Sequence, residues 1–313
     1  MGRRAGVALA AMALAGCAGD RPEDRSVDRA PSIVATIAVG DGPISLVDAD
    51  GIWVTNILDG TVRRIDPVTN RVDRVIRTVE SPAGIARADD GALWVTSGFA
   101  GTLSKIDRAR GLVTLRSRSG GRRSAGLTTA FGSVWIVIST AKTVARVDPT
   151  TGRRTALIPV GVEPLGIVSA DGALWVTNSG SASVSRIDPR VDRVVATIPV
   201  GAGPVGIDTA DGALFVANRV ANTVSRIDTA ANRVAATIPV TRDPFGVARG
   251  PGGVWVTSFR GRSISRIDTG TNRVVAMLPV PDPPLTLTSA RGSIWVTILG
   301  KDSVLRIDPG SQQ

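Results

Sequence analysis

A chain of 313 residues with no histidine, no tyrosine and one cysteine has few groups that exchange a proton near neutral pH. Without imidazole there is no Ser-His-Asp triad, no Cys-His pair and no histidine ligand for zinc. The single thiol, Cys17, ends an N-terminal apolar stretch and lies outside the body of the chain. Acid–base work would fall to carboxylates or to Lys105, Lys142 and Lys301. A calcium loop would space Asp and Asn oxygens regularly, and no such loop occurs. No glycine-rich phosphate loop leads into a helix. The sequence predicts no catalytic residue, no metal and no cofactor, and leans away from an enzyme.

Two groupings remain. Arg219, Arg242, Phe259, Arg260 and Arg262 combine guanidinium groups with an aromatic ring, a set suited to an anionic or planar ligand. Asp208 is an acid where the matching positions hold Val47, Ala86, Thr128, Val168, Ala248 and Thr288. A carboxylate taken out of water needs a partner, so Asp208 is expected to pair with a neighbouring arginine.

What brings these residues together is a repeat. Trp53, Trp94, Trp135, Trp175, Phe215, Trp255 and Trp295 recur at intervals of 41, 41, 40, 40, 40 and 40. Asp66, Asp107, Asp148, Asp188, Asp228, Asp268 and Asp308 keep the same beat, each after Arg-Ile, Arg-Val or Lys-Ile. A period near 40 means stacked supersecondary units. In the copy from Pro164 to Val200, four short apolar, β-branched segments are separated by Asp-Gly, Ser-Gly-Ser and Asp-Pro turns. Asn70, Gly152, Asp192, Asn232 and Asn272 occupy the last of these turns, where a left-handed residue is needed.

Pro159, Pro199, Pro239 and Pro279 fall inside the fourth segment, and a proline in a strand belongs at an edge. The fourth strand is therefore outermost. Radially arranged four-stranded sheets make a β-propeller. Counted from Pro43, the seventh unit stops after its third strand, and Ile33–Val39 resembles the missing fourth. The predicted fold is all-β: a seven-bladed propeller of antiparallel blades, closed by the N-terminal strand joining the last blade. In such a ring, two loop sets share one face. Glu80, Arg122, Arg123, Glu163, Arg242, Asp243 and Asp282 come from one set, and Arg219, Phe259, Arg260 and Arg262 from the other.

The chain divides into residues 1–16, a lipoprotein signal peptide, 17–32, a flexible tether, and 33–313, the propeller. Arg3 and Arg4 precede an apolar run too short to span a bilayer, which ends Leu14-Ala15-Gly16-Cys17. Cleavage before Cys17 would leave its thiol to carry lipid. The alternative is an ordinary secretory signal with Cys17 incidental. The expected location is the outer face of the cytoplasmic membrane or the periplasm. The formal charge of +10 points to a polyanion. Much of it is a belt of repeated arginines, including Arg64, Arg146, Arg186, Arg226, Arg266 and Arg306, each expected to pair locally with the Asp two residues on. For an exported monomer, the expected partners are an unknown protein or an anionic envelope ligand, with no nucleic acid.

Trp-Val-Thr-Asn at 53–56 and 175–178, Arg-Ile-Asp-Pro and Val-Ala-Thr-Ile-Pro-Val-Gly resemble the YVTN repeats of YncE-like bacterial propellers over residues 33–308. The chain is also similar to the virginiamycin B (streptogramin) lyase group, seven-bladed propellers that open a cyclic depsipeptide by elimination. That resemblance implies a catalytic histidine with metal-binding carboxylates, and no position here supplies the histidine. The expected function is a binding or scaffold module acting through the loop face. The alternative is a lyase-like or lactonase-like enzyme with a carboxylate-held metal.

Overall fold

The repeat folds as seven four-stranded antiparallel sheets in a ring. This computed structural model describes residues 29–78, 81–118 and 121–310. Cys17, the export signal, residues 17–28 of the tether and Glu80 lie outside the described residues. Blade 1 opens with the inner strand Pro43–Asp48 and blade 7 with Pro284–Ala290. Among the described residues, the one helical element is a single 3-10 turn at Ser179–Ser181.

Burial follows each strand's place in its blade. Blade 4 runs outward through Pro164–Ala170, Ala173–Asn178, Ser183–Asp188 and Arg193–Pro199. Its second strand is buried throughout because neighbouring blades cover both faces, whereas its outermost strand alternates with solvent. Trp175 packs with Leu214, Val216 and Ile227 of blade 5, so the hydrophobic core lies in the seams between blades. The other marker aromatics are also almost wholly buried. Each such ring removes about 150–250 Å² from water.

Near the axis, the third residue of most inner strands is glycine. A Cβ on Gly166 would stand 2.5 Å from the carbonyl oxygen of Val205, and one on Gly206 2.3 Å from that of Phe245. Only a residue without a side chain lets the inner strands converge this closely. The ring closes as expected: Ser32–Ala38 pairs antiparallel with Ser303–Asp308 as the outermost strand of blade 7. Ile37 and Val39 are buried there, and the Val39 amide donates to the Asp302 carbonyl at 2.8 Å.

The arginine belt needs one correction. The repeated Arg does not pair with the Asp two residues on. Arg186 stacks on Trp175 of its own blade, 5.3 Å from the ring centre, and donates to Asn232 Oδ1 of the next blade. Arg226 and Arg306 likewise stack on Phe215 and Trp295 and reach Asn272 and Asn70. The Asp instead accepts amides of its own hairpin, as Asp66 does from Val68 and Thr69, both at 2.8 Å. A short carboxylate is satisfied locally, while the long guanidinium stem spans the seam.

Candidate functional site

On the loop face, the residue after each second strand donates its amide to the lead-in loop of its own blade. Examples are Ser179 to Glu163, Arg219 to Gly203 and Phe259 to Asp243, at 2.8–3.0 Å. The receiving residue is left-handed at Gly42, Ser81, Arg123, Glu163, Gly203 and Asp243. Asp tolerates this conformation better than most side chains. At blade 6, the result is an acid folded inward: Asp243 is only 5% exposed.

Asp243 organises the seam between blades 5 and 6. Its Oδ1 accepts from Arg219 Nε at 2.6 Å, and its Oδ2 lies 3.4 Å from Arg260 Nε. Its amide donates to Asn222 Oδ1 at 2.8 Å. Arg242, exposed beside it, completes the lining of a cavity of about 380 Å³ with Ser179, Gly203, Val220 and Asn222. Three arginines and one carboxylate line the cavity, two of the arginines paired with that carboxylate, so the cavity carries excess positive charge. An anion about 4 Å from one such group gains on the order of 4 kcal/mol near a protein surface, before desolvation.

The structure brings Arg219, Arg242 and Arg260 together and leaves Phe259 and Arg262 out of the cavity lining. Phe259 is half-buried and contributes its backbone amide. Arg262 has a left-handed backbone and turns toward the Pro281 carbonyl at 3.5 Å. Asp243 is the central residue that sequence reasoning placed only on the face as a whole. Its signal was an acid immediately before Pro244, in a slot that demands positive φ.

Asp208 is not paired with an arginine side chain. Its Oδ1 accepts the Thr209 amide at 2.7 Å, and its Oδ2 accepts the Arg249 backbone amide of blade 6 at 2.9 Å. Peptide amides reach this half-buried position directly, so no guanidinium is needed. Burial raises its pKa above the usual carboxylate value, and the two amides oppose that rise. Nor does it line the axial channel. That cavity, about 380 Å³, is walled by Leu46, Ile85, Leu127, Ile167, Ile207, Val247 and Leu287. An apolar channel without a titratable wall offers no acid or base to a substrate.

The buried Asn178 is structural. Asn178 accepts the Gly161 amide and donates to Ser183 and Ser185, tying lead-in loop to blade. Among the described residues, no three Asp, Glu, His or Cys side chains converge where they could hold a metal ion. The described residues therefore offer no such set for the carboxylate-held metal that the lyase resemblance implies, and Glu80, an acid expected on the loop face, lies outside them.

The Virginiamycin B lyase family matches residues 68–312 of the chain. Virginiamycin B lyase from Staphylococcus aureus has a similar structure, with a TM-score of 0.76 and 19% identity over 89% of this chain and 99% of that one. A catalytically inactive histidine-to-alanine variant of that lyase, solved with quinupristin, gives 0.76 and 19% over 85% and 94%. Hydrazine synthase from Kuenenia stuttgartiensis gives 0.74 and 18% over 85% and 95%. Identities this low establish the propeller architecture alone. No curated protein matches the chain in sequence.

Proposed function

The chain belongs to the virginiamycin B lyase family, and from that premise we propose that it is an exported, lipid-anchored binding module for an anionic ligand. The observation that carries this reading is the residue inventory. The relative loses catalysis when one histidine becomes alanine, and this chain has no histidine at all. What its loop face offers is a charged cavity. Arg242 and Arg260 line the cavity with exposed side chains, while Asp243 holds Arg219 in place and pairs more loosely with Arg260. Guanidinium groups grip carboxylate or phosphate through paired N–H donors.

Titration with inorganic phosphate at constant ionic strength tests the site. Binding to the native state raises the melting temperature with ligand concentration, and Arg242→Ala with Arg260→Ala abolishes the rise. An equal rise in the double variant overturns the assignment. Lipidation at Cys17 is tested by labelling cells with a palmitate analogue. The label is expected on the wild type and absent from Cys17→Ser.

Family membership favours a second reading, ring opening of a streptogramin-type depsipeptide. Elimination leaves the mass unchanged, so chromatographic separation of cyclic and linear quinupristin is the appropriate assay. The ring is expected to stay closed with and without magnesium. Ring opening would establish the enzyme reading.

A further inference from the structure

Opposite the loop face lies the hairpin face, where the strand turns of every blade end. We infer that this face docks on a bilayer containing anionic phospholipid, with Phe131, Arg190 and Val191 at the contact. The inference concerns a different surface from the anion cavity, and its third observation rests on the lipid anchor proposed at Cys17.

The first observation is Phe131. It occupies the first turn position of blade 3 with a φ of +52° and is 44% exposed. The same slot holds Asp50, Asp171, Asp211 and Arg291, all left-handed. Such turns favour Asn, Asp and Gly, and among the described left-handed residues Phe131 is the one aromatic. Burial does not compensate here, because nearly half of the ring faces solvent. A strained backbone that presents an aromatic to water points to a role outside the fold.

The second observation is what lies beside it. Phe131 borders a groove of about 770 Å³ lined by Arg146, Arg186, Arg190 and Val195 together with Asp171 and Asp188, and Arg146 and Arg190 are paired with Asp192 and Asp188 at 3.2 and 3.3 Å. At the neighbouring hairpin tip, Arg190 has 85% of its side chain exposed and Val191 is 57% exposed. Exposed aromatic and aliphatic tips beside Arg190, whose solvent-facing guanidinium can exchange Asp188 for a phosphate, match a headgroup region, where rings settle at the interface. The chain's charge of +10 has the complementary sign.

The third observation is direction. Ser32 opens the closing strand opposite Asp308, and Arg29 pairs with the Asp308 carboxylate. The segment that carries Cys17 therefore joins the ring on the hairpin face, which would turn that face to the membrane.

The test uses full-length Cys17→Ala protein, which cannot be acylated, sedimented with vesicles. Binding is expected with phosphatidylglycerol–phosphatidylcholine vesicles, weaker in salt, and absent with pure phosphatidylcholine. Adding Phe131→Asp and Val191→Asp should lower the bound fraction at least tenfold. Phe99→Asp, removing an exposed ring from the loop face, should leave it unchanged. The N-terminal segment is common to all three proteins, so the difference reports the faces. Phe131→Asp alone should melt higher, because Asp suits the turn, which separates lost docking from lost folding. Full binding by the double variant, an equal loss in Phe99→Asp, or a lower melting temperature for Phe131→Asp overturns the inference.

Discussion

The seams on either side of blade 5 solve one problem with different chemistry. Between blades 4 and 5, Thr177 Oγ1 accepts the Gly166 amide and donates to the Val205 carbonyl, each at 2.8 Å. Between blades 5 and 6, the corresponding residue is Ala217, fully buried and without a hydroxyl. Carboxylates cross that seam instead: Asp208 takes the Arg249 amide, and Asp243 takes Arg219. Losing the threonine does not by itself require charge. Blade 3 has Val137 at this position, and there Ser139 donates to the Pro164 carbonyl of blade 4, a neutral substitute. The ring demands a polar tie across each seam but leaves its chemistry open, and ionisable ties respond to pH and to charged ligands. Ionisable ties also cross the seams between blades 3 and 4, as Arg146–Asp192, and between blades 7 and 1, where Asp302 accepts the Gly42 amide. The candidate cavity opens at the seam where a buried acid, Asp243, makes the tie.

The comparison breaks most visibly at the neutral seam. Thr177→Val keeps the shape and strands a buried N–H and a buried C=O. Each unmet group costs about 1–3 kcal/mol, so a loss of roughly 3 kcal/mol is expected in urea unfolding. A loss below about 0.5 kcal/mol would show that the hydroxyl does not tie the blades. At the charged seam, Asp243→Asn keeps a residue that accepts positive φ and removes the charge holding two arginines. Breaking a buried ion pair costs about 3–5 kcal/mol, but Arg219 and Arg260 are 44% and 67% exposed. Solvent therefore reduces the expected loss to about 1–2 kcal/mol. An unchanged stability would mean that the pair is ornamental.

Ala217→Thr sharpens the comparison by adding the missing hydroxyl. The Phe245 carbonyl lies close to Gly206, as the Val205 carbonyl does to Gly166. A gain of about 1 kcal/mol is expected from the new hydrogen bond. A loss would mean that the charged ties have shifted the seam out of register.

Local chemistry made most of the fold readable. Pro159, Pro199, Pro239 and Pro279, within the fourth segment, marked the edge strand, and Asn70, Asn232 and Asn272 marked left-handed turns. The closing strand was legible because Ile33–Val39 repeats a pattern found elsewhere in the chain. What stayed hidden was long-range. The guanidinium of Arg186 meets Asn232, 46 residues away across a seam, and no spacing rule within one repeat points there. Asp243 was visible as an acid on the loop face. Its role depends on Arg219 from the preceding blade, whose reach only the packed ring reveals. Phe259 and Arg262 were read as ligand-binding candidates from residue type and loop position; in the ring, the Phe259 amide bonds the Asp243 carbonyl and the Arg262 guanidinium turns toward Pro281, outside the cavity lining.

The smallest predicted effect depends on two classes of carboxylate shifting in opposite directions. Hydrogen bonds from residues two or three positions on hold Asp66, Asp148, Asp188 and Asp268 below the usual range. Their folded pKa values are depressed, so they add stability above the ordinary carboxylate value and lose it as pH falls through the depressed one. Asp208 is raised by burial. The folded state then holds its proton more tightly than the unfolded chain, and stability declines as pH rises from the ordinary value of 3.8 through the folded one. Asp208→Val adopts the residue of blades 1 and 4 and removes only this term, leaving the hairpin acids common to both proteins. The melting temperature of the variant minus that of the wild type should therefore climb as pH rises through that window and level off above it. Below the window, the difference reports only the lost bonds to Thr209 and Arg249. A difference that is flat across the window, or that falls as pH rises, would mean that Asp208 ionises freely and that the charged seam owes its character to Asp243 alone.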